Sequence, residues 1–398
     1  MASARNGSGV SMDVDCLRIT HVVRAKPPGE LGGAETHILD LATGQFAAGH
    51  NVRVVLLGPA QIGEALRTRV PTVSMDSMST AVWLRKLRAE VQENPPDVLH
   101  SHGYRADLIA ARARRFGCGM SRWTSVMTVH GFIKTSPGLR LLTRLNERAL
   151  RGTDVVIAVS SAEADRLTTL LRRPVRFVPN GVGPLEHIPR AAARAALRSD
   201  PSRYAVGFIG RLSPEKRPDL FVDMAAIVAA QQPDVDFLVI GSGSLRNRIE
   251  RRAAATRAQI MFTGLVPGAA SLMSALDVLV CPSDTEGTPR AVIAAMLAAV
   301  PVVATRVGGL PDLITAGRTG LLVEPGSAES LAAAVIQMLR NRAAARAIGE
   351  RARADAVNQF SAQRMTDRVI DAYRSHLAAR PPDRRAVAPV IGTQRWHR

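Results

Sequence analysis

Short apolar runs alternate along the chain with longer stretches whose apolar residues recur on a helical period. In the first half the runs are "LRITHVV", "NVRVVLLG", "DVLHSH", "TSVMTVHG", "DVVIAVS" and "VRFVPNG". In the second half they are "YAVGFIGRL", "VDFLVIGSG", "QIMFTG", "DVLVCPS", "VPVVATRVGG" and "GLLVEPG". Helix patterns such as "GAETHILDLATGQFAAG" and "RPDLFVDMAAIVAAQQ" lie between them. Strands that are apolar throughout, alternating with helices, predict an α/β chain with parallel sheets. The stretch "PLEHIPRAAARAALRSD" lacks strand character and joins the two series. The pattern therefore predicts two Rossmann-like doubly wound domains, over 16–183 and 201–360, with a linker at 184–200. An amphipathic helix is expected over 361–380, and disordered tails at 1–15 and 381–398.

Composition narrows the class. No apolar run reaches the roughly 18 residues a membrane helix needs, and the polar start "MASARNGSGVSMDVDC" has no apolar leader core. The expected location is the cytoplasm. Cys16, Cys118 and Cys281 lack metal-ligand spacing and read as reduced core residues. The net charge of +18 is carried almost wholly by arginine, a skew that GC-rich coding would also produce. It favours anionic partners. Aromatics make up only 4% of the chain, too few to stack single-stranded nucleic acid, so phosphate-bearing ligands and an anionic membrane face are the expected partners.

In doubly wound sheets the loops at the carboxyl ends of the strands carry ligands. Gly32 and Gly33 precede a helix whose first N–H groups could seat a phosphate, although an ordinary turn reads the same way. His100 and His102, two apart at a strand end, share a face, but no further metal ligands are evident near them in sequence. His130 ends another strand and is read either as a donor to a sugar or phosphate oxygen or as a core histidine. Gly210 ends a strand ahead of Arg211 and Lys216, a cation pair suited to a diphosphate, or a solvated basic loop. Gly241 and Gly243 lack the third glycine of a dinucleotide fingerprint. Pro289 suits a first helical turn, which places Glu286, Gly287 and Thr288 just before an open helix N-terminus.

The ordered set "GGAETHILDLA", "VHGF", "VIAVS", "VPNGV", "GFIGRLSPEKRPDL", "GSGSLRNRIE", "CPSDTEGTPR" and "PVVATRVGGLPDLI" resembles the retaining glycosyltransferases of family 4, whose fold is GT-B. The resemblance spans about Leu17 to Tyr373. It implies two domains facing across a cleft, the second holding a nucleotide-diphosphate sugar and the first an acceptor, with no metal and no other cofactor. The segment at 361–380 is then expected to cross back to the first domain. The resemblance assigns the diphosphate to Arg211 and Lys216, the sugar hydroxyls to Glu286, and a place beside the donor sugar to His130. Gly32 and Gly33 approach the diphosphate or acceptor, and Gly264 and Leu265 meet the base. His102, Tyr104 and Asn180 fall on the acceptor side.

One position departs from the family. The second glutamate of the E-x7-E motif, which binds the donor ribose there, is Ala294, and the glycine before the Val-Pro turn is Ala299. Neither is expected to disturb folding, because alanine forms helices well. Losing a charged acceptor from the ribose should cost roughly 1.5–3 kcal/mol of donor binding. Arg290, four residues before Ala294, is expected to turn into the vacated space and contact the donor, unless it simply lies along a surface helix. The leading reading is an active transferase acting on a glycan or lipid-linked acceptor in envelope or exported polysaccharide synthesis. Arginine-rich amphipathic helices of the first domain could rest on the inner face of the membrane. The alternatives are a catalytically impaired GT-B protein that binds a partner, and a sugar-nucleotide epimerase of the same fold.

Overall fold

The computed structural model describes residues 16–24, 33–58, 66–75, 77, 79–115, 123–131 and 137–379. Cys118 and the two expected tails lie outside them. The first sheet contains β1 (Arg18–Arg24), β2 (Asn51–Leu57), β3 (Thr72–Met75), β4 (Val98–His102), β5 (Thr124–Val129), β6 (Val155–Ala158) and β7 (Arg176–Phe177). Their spatial order is β3-β2-β1-β4-β5-β6-β7, and every pair is parallel. The second sheet contains β8 (Tyr204–Ile209), β9 (Val235–Ile240), β10 (Ile260–Gly264), β11 (Val278–Cys281), β12 (Val302–Thr305) and β13 (Leu321–Val323). Its order is β10-β9-β8-β11-β12-β13, again parallel throughout. β4, β5, β6 and β9 are buried at every position, because helices cover both faces of the sheets.

Each order reverses at one place, between β1 and β4 and between β8 and β11. The strands on either side of a reversal send their helices to opposite faces, which opens a crevice at their carboxyl ends. Among the described residues, the loops at these two crevices are those that follow β4, β8 and β11.

β3 was not expected. Its sequence is Thr-Val-Ser-Met at the sheet edge, three of the four positions are half-buried, and no apolar run marks it. The 184–200 segment is more than a connector. It carries the helix Arg190–Ala196, whose Arg194 is 1% exposed. Arg194 donates to the Ala275, Asp200 and Arg203 carbonyls and pairs with Asp277 at 2.8 Å, which fastens the segment to the second domain.

The helix Ala362–Ala378 belongs to the first domain's core. Met365, Val369, Ile370 and Tyr373 are buried with Ile19, Ile38, Leu41 and Val126. Each such side chain contributes about 1.5–3 kcal/mol, enough to hold the helix against that sheet. The chain crosses there beside the outbound connection: Val182 N–H donates to the Phe360 carbonyl and Ala362 N–H to the Val182 carbonyl, both at 3.0 Å. A side chain at Gly181 would meet the Ser361 backbone, so this crossing requires glycine.

Two local expectations fail. Cys16 is exposed rather than in the core. Ala299 sits at φ +56°, the left-handed region. It follows the helix Arg290–Leu297, with Val300 N–H reaching the Ala295 carbonyl and Ala299 N–H the Met296 carbonyl. This is a Schellman stop with alanine where glycine is favoured, so the residue carries a backbone cost that helix propensity does not register.

Candidate functional site: two walls of an interdomain cleft

The second domain supplies a charged wall at its β8–β11 crevice. Arg211 follows Gly210 at the end of β8, is exposed, and has no side-chain partner among the described residues. Lys216 ends a short 3-10 turn, Pro214–Lys216, on the same loop. Its ammonium lies 2.6 Å from both carboxylate oxygens of Glu286, which also accepts from Ser283 Oγ at 2.7 Å. Burial opposes the charge of Lys216, but Glu286 and its neighbours outweigh this and hold the pKa above its ordinary value. Cys281, at the end of β11, is pushed up to about 12, by burial first and then by Glu286, and so is not a nucleophile. Gly308 and Gly309 press on the backbones of Glu286 and Gly287, where a side chain would collide. The quoted "RVGGLPDLI" contains this glycine pair, but its role as backing for Glu286 was not seen in the sequence. Gly264 ends β10 at φ +73°, and Leu265 beside it is 47% exposed at the rim.

The first domain supplies a wall of imidazoles. His21 (β1), His100 and His102 (β4), His130 (after β5) and His37 (helix Gly33–Ala47) are grouped, with adjacent ring centroids 4.0–5.9 Å apart. His21 Nε2 donates to Gln45 Oε1 at 2.7 Å, and His21 Nδ1 meets His102 Nε2 at 3.0 Å. His100 is bonded to Tyr373 OH at 2.6 Å and Thr128 Oγ1 at 2.7 Å. Burial pushes His21 down to about 4 and holds His37, His100 and His102 well below the ordinary histidine range, with the neighbouring imidazoles adding to it. These four imidazoles are therefore neutral at pH 7. The expectation that no further ligands lie near His100 and His102 is overturned. Ligand atoms of His21, His100 and His102, and of His37, His102 and His130, come within 4.8 Å of one another.

The walls meet directly. A side chain on Gly287 would stand 2.8 Å from the His130 carbonyl. Asn180 Nδ2 donates to the Thr288 carbonyl at 2.8 Å, Thr288 Oγ1 to the Val159 carbonyl, and Ser161 N–H and Oγ to Asp312 at 2.8 and 2.5 Å. Pro289 is the N-cap, so the helix begins at Arg290 and its N-terminus lies against the first domain rather than open. Tyr104, the first residue of the helix Tyr104–Arg115, donates to the Gly131 carbonyl at 3.2 Å. Gly33 opens its helix beside Arg290, its virtual Cβ 4.0 Å from Arg290 Cδ; Gly32 lies outside the described residues.

Arg290 does not turn toward position 294. Its guanidinium crosses the cleft to Asp40 Oδ2 and the Gly181 carbonyl, each at 2.5 Å. Ala294 is 1% exposed, within the apolar cluster of Val292, Ile293 and Leu279. Arg290 is thus an interdomain tie, 250 positions from its partner.

Two parallel-sheet α/β domains, seven- and six-stranded, that meet across a cleft define the GT-B fold. The comparisons place the chain within that fold class. The model described as "Glycosyltransferase Family 4" matches residues 31–184, and that described as "Glycosyl transferases group 1" matches residues 203–341. The chain belongs to the family-4 glycosyltransferases. It is 27% identical over 395 residues to the alpha-maltose-1-phosphate synthase of Mycolicibacterium smegmatis, covering 90% of this chain and 99% of that protein. Its fold is similar to sucrose-phosphate synthase from Thermosynechococcus elongatus, with a TM-score of 0.78 at 21% identity over 91% of this chain and 100% of that one. It is also similar to Anabaena Alr3699/HepE in complex with UDP-glucose, with a TM-score of 0.77 at 20% identity over 89% and 99%.

Proposed function

We propose that this glycosyltransferase is active despite Ala294, and that it transfers a sugar from a nucleoside-diphosphate sugar with retention at the anomeric carbon and without a metal. The observation that carries the proposal is the β8–β11 crevice, where Lys216 pairs with the backed Glu286 and the same loop carries exposed Arg211. As the sugar–phosphate bond breaks, the diphosphate gains negative charge, which Arg211 and Lys216 are placed to meet. Lys216 has three N–H donors, and Glu286 takes two. The third is left for a phosphate oxygen. Glu286 accepts from sugar hydroxyls, and His130, on the facing wall, contacts the donor sugar from the other side. The departing phosphate takes the proton of the acceptor hydroxyl on the same face, so no protein nucleophile is needed. Gly264 and Leu265 offer the base a backbone edge at the rim.

The acceptor is a glycan or lipid-linked saccharide held by the first-domain wall near His102, Tyr104 and Asn180. The helix Pro137–Arg151 supports a reaction at the inner face of the membrane, since Leu141 and Leu145 are 60% and 38% exposed amid arginines. A second reading, a phosphorylated sugar acceptor, is favoured by the names of the synthases similar to this chain. The test is donor turnover by the full chain across a panel of nucleotide sugars, with and without sugar phosphates. Turnover of one donor that falls at least a hundredfold in Arg211→Ala supports the proposal. No binding of any donor by the folded chain would favour the partner-protein alternative.

A further inference from the structure

We propose that His37, His102 and His130 form a binding site for a single divalent transition-metal ion in the first-domain wall, beyond anything the transfer reaction requires. Hydrogen-bond direction picks these three from the five. Gln45 Oε1 can only accept, so His21 carries its proton on Nε2 and presents a lone pair at Nδ1. His102 must then donate from Nε2 to His21, which leaves the lone pair of the neutral His102 ring on Nδ1. That nitrogen is buried and has no hydrogen-bond partner; the ring nitrogens of His37 are buried too, with the Asn180 side chain as the hydrogen-bonding group acting on them. Both residues are 3% exposed. Orphaned buried nitrogens cost about 1–3 kcal/mol each, and a metal ion accepts their lone pairs at once. In His21 and His100, by contrast, both ring nitrogens are engaged, which rules them out as ligands.

The geometry fits. Three imidazoles on a tetrahedral ion, with metal–nitrogen bonds of about 2.0–2.1 Å, place their ring centroids roughly 5 Å apart. Here the centroid distances are 4.7 Å for His37–His130, 5.6 Å for His37–His102 and 5.9 Å for His102–His130. The chain His102–His21–Gln45 is the outer support that ligating histidines use to fix their orientation. Arg290 is the cation felt at His37, and its pairing with Asp40 offsets that charge. Three neutral nitrogens without a carboxylate suit zinc, cobalt, nickel or copper rather than magnesium or calcium. The fourth position is left to water or a ligand from the cleft.

The test uses the full chain with any affinity tag removed. Equilibrium dialysis against Zn2+ should give one ion per chain, Co2+ should show the intense visible bands of tetrahedral coordination, and Mg2+ should not bind. His37→Ala, with its fold checked by circular dichroism, should weaken Zn2+ binding at least tenfold, as should His130→Ala. A Cys16→Ser/His187→Ala double variant, lacking an exposed thiol and an exposed imidazole, should bind as the wild type does. No binding by the wild type, equal binding by His37→Ala, or loss in the double variant would each overturn the site. Dialysis needs no donor, so its outcome is independent of whether transferase activity is found. Where a donor is turned over, zinc should inhibit by withdrawing His130, and full activity at full occupancy would remove His130 from the ligand set.

Discussion

The two walls of the cleft solve opposite electrostatic problems. The second-domain wall keeps full charges and pairs most of them, Lys216 with Glu286 and Arg217 with Asp219 and Asp284, while Arg211 stands exposed. The first-domain wall contains five imidazoles, and burial disfavours the charged form of four of them, His21, His37, His100 and His102. Even its supporting carboxyl follows this rule. Asp107, behind β4, is pushed up to about 7 by burial, although Ser101 and Asn146 both donate to it. In the proposed function, fixed charge stands on the side assigned to the leaving diphosphate, and neutral dipoles stand on the side assigned to the saccharide acceptor.

The most severe way to break this division is Lys216→Ala. It removes a cation and leaves Glu286 with only the Ser283 hydroxyl and the Cys281 thiol, so donor turnover should fall about 10²–10³-fold. Chemical denaturation should show a loss of about 2–3 kcal/mol, less than the 3–5 kcal/mol of a fully buried pair because the Lys216 side chain is 27% exposed. If both quantities were unchanged, the charged wall would have no role.

On the neutral wall the corresponding test is Asp107→Asn. Between about pH 4 and 7 the folded chain holds a proton on Asp107 that the unfolded chain releases, so stability falls as pH rises through that window and levels off above it. The full span is up to about 4 kcal/mol. Denaturation midpoints of Asp107→Asn should lack this slope; an unaltered slope would show that Asp107 ionises normally.

Arg290→Ala joins the two walls in one experiment. Losing its bonds to Asp40 and Gly181 should cost about 1–3 kcal/mol and shift small-angle scattering toward a more open chain. No change in radius would mean that the tie does not govern closure. The smallest effect is a gain: Ala299→Gly should stabilise by about 1 kcal/mol, because glycine adopts the left-handed stop without strain.

The fold was legible because parallel strands covered on both faces read as uninterrupted apolar runs, and β3 escaped because an edge strand needs no such run. Arg211, Lys216 and Glu286 were legible because each stands in a short loop directly after a strand. The imidazole wall was not. His21 and His100 become neighbours only through the β1–β4 register, which pairs them directly, and His37 joins from a helix. Arg290 was placed by local helix spacing near Ala294, but its partner lies in the other domain. Local spacing says which residues share a face, and the crossing of two domains decides what that face meets.

With its β8–β11 crevice intact, the enzyme is expected to remain active despite Ala294. The most direct measurement is nucleotide release from a panel of sugar nucleotides by the wild type and by Glu286→Gln, with donor affinity determined for both. Measurable wild-type turnover on one donor, lost at least a hundredfold in Glu286→Gln with the fold intact, is the predicted result. A folded wild type that binds and turns over no donor would contradict it.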